Sequence, residues 1–579
     1  MGVNFQPSIP RARLSSESTL PPSTRVTPPG VGRRAASAAV LLAIVLALLV
    51  LGGYAAWQLH NATGVTYSHA PALGKDAGDD YDEGAYVTSA RLLLKGYPLF
   101  KTVFSAQPAF FLPTLAAVVR VVSNPVAAGH IYEALCGILA LLGVIWMTWT
   151  AYRPLAAPLG ALLLAVSPGF LLYSHAVESE MPMLALCTLS VAAAQSYYLS
   201  GRWSMAALAG LLLCAGTEMK LLSVVAVPPL ALLLVGGAWR RRADGVPWPS
   251  LLLDLAAFLL ALALPAAAVL YLLSPADQLR QAVMFHLDAG RNASFGTGDN
   301  VPALRVFLGY DPALLLAAAA GFVLALLPGR GRDGGRRYLP VVYLLWFLTT
   351  LVFLWRYHPT FQHQFVPLLP PLALLGAGLA GVPLARTVRG AYSGAHMGSS
   401  GRGLTRGVAP PPGFAVSSPP SSRLRDLSPA VPLALLALVG YGVLLGRNTV
   451  PLDRQLYKPS VTPNRSRLVA LVDRVSRPGD FVVTDDPMVA LGANRLLPPG
   501  IEDPSMVRIA AGYLTASQAE RSTLRYHVAV IVFSRPKYVH GRLVGTVLSH
   551  DLPRYSSWVA RHYRRIPSHV SGASVFVRR

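Results

Sequence analysis

The segment KDAGDDYDEGAYVTSARLLLKGYPLFKTVFSAQP, residues 75–108, decides how the rest of the chain is interpreted. It follows the first long apolar run and carries five acids: Asp76, Asp79, Asp80, Asp82 and Glu83. From Asp82 the pattern predicts an amphipathic helix that Gly96 and Pro98 terminate. So many acids beside an apolar run are unusual for a passive linker. Two interpretations remain open on helix physics alone. The acids can form a functional cluster at the membrane surface, or Asp82 can be a simple helix cap with Glu83 favouring the helix dipole.

The composition is that of a membrane protein with many spans. The chain has 579 residues, of which 53% are hydrophobic and only 13% are charged, and apolar runs recur along most of it. The net charge of +23 does not indicate a nucleic-acid partner, because the arginines cluster in loops between apolar runs. Cys136, Cys187 and Cys214 all lie in apolar segments, so no disulfide framework is predicted.

The N-terminal part is expected to begin in the cytoplasm. Residues 1–35 are rich in Pro, Ser and Arg, which predicts a disordered tail. Residues 36–57 form the first span, interpreted as an uncleaved anchor because about 20 apolar residues exceed a signal-peptide core. An outer loop, 58–127, follows. Its apolar segment 108–122 is short for a span and contains Pro113, which favours a helix lying in the membrane interface.

The distribution of arginine selects one topology. If residues 108–122 do not cross, the basic loops 239–245, 329–337 and 385–429 are cytoplasmic, as the positive-inside rule requires. If they do cross, those arginines move outside. The first choice gives about eleven spans and places the C-terminus outside. After the first, the predicted spans are residues 128–149, 156–173, 181–199, 205–216, 221–239, 251–273, 312–327, 338–355, 365–384 and 430–446.

The C-terminal part changes character. Residues 385–429 are Gly-, Ser- and Pro-rich, which predicts a disordered cytoplasmic linker. Residues 451–579 contain strand-like runs starting at Phe481, His527 and Ser574 and a helical pattern from Ser466. The predicted fold class is therefore a polytopic α-helical membrane protein with a small C-terminal extracytoplasmic α/β domain.

Polar residues near the predicted span ends converge on the outer face, opposite the basic loops. Charges at membrane depth are costly and usually functional, although each one alone is more often a helix-end polar group. An acid there can act as a general base, and cationic groups can hold a phosphate leaving group. The chain has no Walker motif and no Cys/His metal spacing. His358 and His363 are five residues apart, which does not match a same-face pair, so a phosphate contact is favoured over a metal site. Besides Asp82 and Glu83, the candidates are Glu180, Lys220, Arg356, His358 and His363, with Asp79, Asp80, His286 and Arg291 as further substrate-binding candidates.

Four motifs occur in an order that resembles the GT-C membrane glycosyltransferases. YDEGAYVTSARLLLKGYPLFKTVFSAQPAFFLP (81–113) resembles their first outer loop, and Asp82-Glu83 matches its acidic pair. SHAVESEMPM (174–183) resembles a segment in which an acid, usually Asp, begins a span; here Glu180 stands at that place. TEMKLLSVVAVP (217–228) and HPTFQHQFVPLLPPLALL (358–375) resemble a lysine-containing turn and a late outer loop.

The resemblance covers about residues 36–384, which would form the catalytic transmembrane domain. Within the GT-C glycosyltransferases, the sequence resembles glycosyltransferase family 39, the protein mannosyltransferase-like group that includes relatives of the lipid A aminoarabinose transferase. PPGIEDPSMVRIAAGYLT (498–515) also looks like extracytoplasmic domains of some bacterial members.

The resemblance implies a bacterial plasma-membrane enzyme that moves a sugar from a polyprenyl-phosphate donor to a hydroxyl acceptor, with inversion. The acceptor would be an envelope lipid, glycan or protein. Asp82 would take the acceptor proton, Glu83 or Glu180 would orient the acceptor or hold a divalent cation, and Lys220, Arg356 and His363 would neutralise the phosphate. A secondary transporter or a non-catalytic scaffold is the alternative, but no internal repeat is found in the sequence.

Overall fold

The computed structural model describes residues 30–64, 81–152, 154–292, 300–326, 336–381, 463–533, 537–539, 542–544, 548–570 and 572–579. Most of the predicted N-terminal tail, the linker 385–429 and the predicted span 430–446 lie outside these ranges, as do Asp79 and Asp80. The first helix begins at Gly30, earlier than the first span was expected to begin.

Seven helices of the described part are long and apolar enough to cross a membrane. Two further helices meet at a bend of 87° and together would make an eighth span. These findings confirm the predicted polytopic helical fold. The seven segments are Ser37–His60, Pro125–Ala151, Glu180–Ser200, Leu221–Ala243, Trp248–Leu272, Arg336–Arg356 and Gln362–Ala380, and the bent pair is Val301–Gly309 with Pro312–Leu326.

Three apolar helices are shorter, and they show where the sequence-based boundaries differ from the structure. The predicted span 156–173 is two helices, Ala156–Ala165 and Pro168–Tyr173. They separate because Ser167, which precedes a proline, is extended, as residues before proline tend to be. Phe111–Val121 has 11 residues, so it is about 16 Å long and shorter than the bilayer core of about 30 Å. Trp203–Met219, with 17 residues, occupies the predicted span 205–216.

The helices of the membrane domain are numbered in chain order. They are α1 (Gly30–Gly64), α2 (Tyr81–Leu94), α3 (Phe111–Val121), α4 (Pro125–Ala151), α5 (Ala156–Ala165), α6 (Pro168–Tyr173), α7 (Glu180–Ser200), α8 (Trp203–Met219), α9 (Val227–Ala243), α10 (Trp248–Leu272), α11 (Pro275–Gln278), α12 (Phe285–Arg291), α13 (Val301–Gly309), α14 (Pro312–Leu326), α15 (Leu339–Arg356), α16 (Leu369–Gly376) and α17 (Gly378–Gly381). Short 3₁₀ segments, Leu221–Ala226 and Gln362–Leu368, precede α9 and α16.

The tail forms a small α/β domain with its own hydrophobic clusters. A four-stranded sheet has the order β1-β2-β6-β5, in which β1 and β2 are parallel and the other neighbours are antiparallel. Its strands are β1 (Val482–Thr484), β2 (Val530–Phe533), β5 (Tyr563–Ile566) and β6 (Ser574–Arg578), and β3 (Lys537–Val539) pairs with β4 (Arg542–Val544). Its helices are α18 (Pro463–Val475), α19 (Pro487–Gly492), α20 (Met506–Ala510), α21 (Ala516–Arg525), α22 (Leu548–Asp551) and α23 (Pro553–His562).

This tail domain packs directly on α2. A Cβ added to Gly84 would lie 2.9 Å from the Cβ of Pro487 and 3.0 Å from the backbone nitrogen of Met488, so only glycine permits this approach. Tyr81 donates a hydrogen bond to Asp503 (3.0 Å), and Arg91 donates one to Asn494 (3.0 Å). The contact explains why both sides of α2 are buried, which an exposed amphipathic helix would not show. It also places the tail domain on the same face as Asp82 and Glu83.

Candidate functional site

The two acids that begin α2 point to different partners. Glu83 is buried, and its Oε1 lies 3.1 Å from Nε2 of His130 on α4. Nδ1 of His130 lies 2.7 Å from the carbonyl oxygen of His175, so that nitrogen carries a hydrogen and donates it. A single proton between Nε2 and the carboxyl group then completes the link. Glu83 therefore anchors α2 to α4, whereas Asp82 is left at the half-buried edge of the site.

Asp82 meets side chains from two other segments. Ligand-type atoms of Asp82, Glu178 and His363 all lie within 4.8 Å of one another. His363 Nδ1 is 3.6 Å from Glu178 Oε1. The three residues come from the start of α2, the loop before α7 and the 3₁₀ segment before α16. Two carboxylates and an imidazole are a donor set that divalent cations such as Mn²⁺ and Zn²⁺ accept.

A buried ion pair adjoins this group. Lys220 Nζ lies 2.5 Å from Glu180 Oε1 and 3.1 Å from the hydroxyl of Ser179, and His363 Nε2 lies 3.4 Å from the same Glu180 oxygen. Burial disfavours the charge of Lys220, but Glu180 and Glu178 outweigh it and raise the pKa of Lys220. The ammonium group is therefore held as a fixed positive charge. We call Asp82, Glu178, Glu180, Lys220 and His363 the acid cluster.

The acid cluster contains more negative than positive groups. Burial, reinforced by Asp82 and Glu180, raises the pKa of Glu178 well above its ordinary value. Burial and the same negative charges also raise the pKa of Tyr86, whose hydroxyl accepts a hydrogen bond from Gln107 (3.3 Å). Three carboxyl groups facing one ammonium leave a negative excess that a proton or a bound cation must balance. The residues present therefore fit a divalent cation.

The structure places the other sequence candidates at different distances from this centre. His286 is part-buried and lies 2.8 Å from the carbonyl oxygen of Ala106; burial lowers the pKa of His286 to about 4. Arg356 is exposed, with its guanidinium 5.3 Å from the centre of the Trp355 ring. Within the described part of the chain, no hydrogen bond or ion pair joins Arg356, His358 or Arg291 to the acid cluster.

Sequence reasoning missed three members of the arrangement. Glu178, His130 and Glu133 are not among the site residues that the sequence predicted. Glu133 is buried, and its Oε1 accepts a hydrogen bond from the backbone nitrogen of Glu178 (3.2 Å). The available signal was a set of ionisable residues at the ends of apolar helices. The spacing of His358 and His363 argued against a metal site, but the structure combines His363 with carboxylates from other segments.

Comparisons with known proteins identify the fold. A family model described as dolichyl-phosphate-mannose-protein mannosyltransferase matches residues 106–284. ArnT from Cupriavidus metallidurans, in a structure bound to undecaprenyl phosphate, matches with a TM-score of 0.55 and 14% identity, covering 93% of this chain and 98% of ArnT. ArnT in the apo state gives 0.49 and 14%, covering 94% and 98%.

An oligosaccharyltransferase from Archaeoglobus fulgidus also matches, with a TM-score of 0.48 and 12% identity over 86% of this chain and 69% of that protein. No curated protein sequence matches. The structural match to ArnT bound to undecaprenyl phosphate, together with the family-model match, confirms the resemblance to the GT-C membrane glycosyltransferases and the predicted GT-C fold. At 14% identity, the likeness to ArnT establishes the fold and leaves the sugar and acceptor open.

Proposed function

We propose that this membrane protein transfers a sugar from a polyprenyl-phosphate donor to a hydroxyl group of a cell-envelope acceptor. The observation that carries the proposal is the acid cluster, in which His363 lies near both the half-buried carboxylate of Asp82 and the buried ion pair of Lys220 with Glu180. Two comparisons support it. ArnT from Cupriavidus metallidurans, which has a similar fold, is bound to undecaprenyl phosphate in one structure, and the matching family model is named for a dolichyl-phosphate-linked sugar.

The chemistry is a single displacement at the anomeric carbon. Asp82 accepts the proton of the acceptor hydroxyl while the hydroxyl oxygen bonds to the anomeric carbon. The bond between the anomeric carbon and the phosphate oxygen breaks, and the lipid phosphate leaves with the electron pair. Attack opposite the leaving group inverts the configuration. Asp82 suits this role because it is less buried than Glu178 and Glu180, so an acceptor can approach it.

Lys220 is the residue best placed to stabilise the departing phosphate. Its charge is buried and held by Glu180, and a fixed positive charge in a water-poor site favours developing negative charge. A divalent cation held by Asp82, Glu178 and His363 would supply further positive charge for the phosphate. Glu83 has a positioning role, because its contact with His130 fixes the start of α2 and thereby the backbone of Asp82.

The topology of the proposal follows from the arginine distribution. The basic loops are assigned to the cytoplasm and the acid cluster, with the tail domain, to the outer face. Cytoplasmic nucleotide sugars do not reach that face, whereas a lipid-linked donor reaches it through the bilayer. Labelling with an impermeant thiol reagent tests this assignment: a cysteine placed at position 400 should stay unlabelled in intact cells, and its labelling would invert the topology.

The decisive experiment uses the purified full chain in liposomes with defined donors. We expect transfer from polyprenyl-phosphate sugars to an envelope-derived acceptor and no transfer from nucleotide sugars alone. The Asp82→Asn variant, reconstituted in the same way, controls for contaminating transferases. Transfer from a nucleotide sugar without any lipid carrier would contradict the proposal.

A further inference from the structure

A second polar feature lies between the tail domain and the membrane domain. The loop Phe100–Phe104, the residues around Arg280 and the tail segments from Pro499 to Tyr526 enclose a cavity of about 860 Å³, which we call the interdomain cleft. Hydrogen bonds join the two domains at the cleft. The backbone nitrogen of Phe104 donates to Glu502 (2.6 Å), and Tyr513 donates to Asp288 (3.0 Å).

The cleft is strongly basic. Five cationic side chains line it against one acid, Asp277, and Asp277 accepts a hydrogen bond from Ser274 (2.8 Å). Arg508 is buried, lies 3.6 Å from Glu502 and sits 3.9 Å from the centre of the Phe104 ring, so it is part of the interface structure. The remaining cationic residues are exposed and form no ion pair with any residue of the described ranges: Lys101, Arg280, Arg521 and Arg525.

Aromatic rings accompany these charges. Phe100, Phe104, Tyr513 and Tyr526 also line the cleft, and Arg280 lies 5.7 Å from the centre of the Tyr513 ring. Rings with a few well-placed polar groups form surfaces typical of ligand sites, and they suit the apolar faces of sugar rings. A row of separate cationic groups suits a chain that carries an anionic group at intervals. Together they favour an anionic glycan over a single phosphate.

The cleft is connected to the acid cluster by one loop. Its first part, Phe100–Phe104, lines the cleft. Its later residues run towards the site: the carbonyl oxygen of Ala106 contacts His286, and the backbone nitrogen of Ala109 donates to Glu218 (3.3 Å), two residues before Lys220. A chain lying in the cleft would therefore contact the loop that continues towards the acid cluster.

We propose that the interdomain cleft binds an anionic segment of a glycan acceptor, with Lys101, Arg280, Arg521 and Arg525 contacting its phosphate or carboxylate groups. This inference rests on the proposed function for its biological meaning, since the bound glycan would be the chain that receives the sugar. The cleft holds the acceptor, and the acid cluster performs the transfer.

The test measures binding of fluorescent anionic glycans to the detergent-solubilised full chain, without turnover. Dextran sulfate and polygalacturonate should bind, neutral dextran should not, and binding should weaken as salt rises. The Arg521→Gln/Arg525→Gln variant should bind about tenfold more weakly, because two contacts of modest strength are lost. Both arginines are exposed, so the variant should fold normally, as its melting temperature will show.

A matched control removes the same charge elsewhere in the tail domain. Arg561 and Arg564 are exposed and do not line the cleft, so Arg561→Gln/Arg564→Gln should bind like the wild type. Equal weakening in both double variants would show only general charge attraction and would overturn the proposal. Tighter binding of poly-glutamate than of either glycan would assign the cleft to acidic protein instead. If the protein binds phosphatidylglycerol vesicles and Arg521→Gln/Arg525→Gln weakens that binding as much as glycan binding, the cleft would be assigned to lipid headgroups. Because binding is read directly, an inactive transferase would not alter this result.

Discussion

The acid cluster and the interdomain cleft lie on the same face of the protein, yet they hold their charges in opposite ways. In the acid cluster most of the ionisable groups are buried and lie close together: Lys220 lies 2.5 Å from Glu180, and Glu178 and His363 are 3.6 Å apart. In the cleft, Arg521 and Arg525 are exposed and unpaired among the described residues. A buried charge depends on one exact neighbour, whereas exposed charges act together and are screened by salt. Single substitutions that remove a reacting or ion-paired group of the cluster should therefore have large effects, and single substitutions in the cleft should have small ones.

The sharpest test of this contrast compares the two adjacent acids of α2. Asp82→Asn keeps the shape of the side chain and removes the proton acceptor, so transfer should fall by about 10²–10⁴-fold. Glu83→Gln should reduce transfer by only about 10–100-fold, because Glu83 acts through its contact with His130. Initial rates of the purified variants at saturating donor measure both effects. Near-normal turnover in Asp82→Asn would make Asp82 a helix cap and move the base to Glu178 or Glu180.

The buried ion pair should be the most sensitive structural element of the cluster. Lys220→Met leaves Glu180 buried without its ammonium partner, so the free energy of unfolding should fall by about 3–5 kcal/mol. Replacing both partners, as in Lys220→Met with Glu180→Leu, should recover much of that loss because no uncompensated charge remains. Thermal unfolding in one detergent compares the two. A double variant no more stable than Lys220→Met would show that the pair is held by more than mutual charge.

The contact between α2 and the tail domain should respond at an intermediate level. Gly84→Ala places a Cβ against the backbone of Met488, and backbone cannot rotate away, so the tail domain must shift at a cost of about 1–3 kcal/mol. The added Cβ of Gly53→Ala meets nothing within 4 Å, so this helix substitution controls for the change of residue type. Melting temperatures of the two variants report the difference. Equal values would mean that the tail domain docks on α2 less tightly than the structure shows.

The smallest expected effect concerns the proton on Glu178. Its pKa is raised in the folded protein, so between the ordinary glutamate range and that raised value the folded state binds more protons than the unfolded state. Stability contributed by this group is then lost as pH rises. Glu178→Gln lacks this loss, and its stability relative to the wild type should increase from pH 5 to pH 8 without added metal.

Mn²⁺ should reverse this pH dependence of the stability of Glu178→Gln relative to the wild type. A cation requires the deprotonated carboxylate, so Mn²⁺ should stabilise the wild type more at pH 8 than at pH 6 and should stabilise Glu178→Gln little. Melting temperatures with and without Mn²⁺ at the two pH values make the measurement. Equal stabilisation of both proteins would remove Glu178 from the cation site.

Several features followed from the sequence because they depend on local patterns. The length and spacing of apolar runs predicted the spans, since a bilayer requires about 20 apolar residues per helix. Gly96, in the left-handed region with φ of 86°, lies just after α2 where the helix was expected to end. The strand-like runs near Phe481, His527 and Ser574 became β1, β2 and β6. The order of four motifs was enough to identify the GT-C resemblance.

Other features depended on contacts between distant segments. Asp82 and Glu83 are adjacent in the chain, and their sequence gives no reason for one to anchor α2 and the other to face the cluster; the packing of α4 against α2 separates them. Glu178 and Glu180 are equally plausible in sequence, but only the structure shows which of them faces Asp82 and which binds Lys220. The interdomain cleft likewise forms only because the tail domain packs on the membrane domain, so that residues from both line it. Local patterns decide whether a segment becomes a helix, strand or span, whereas the convergence of side chains from separate segments is set by the packing that brings them together.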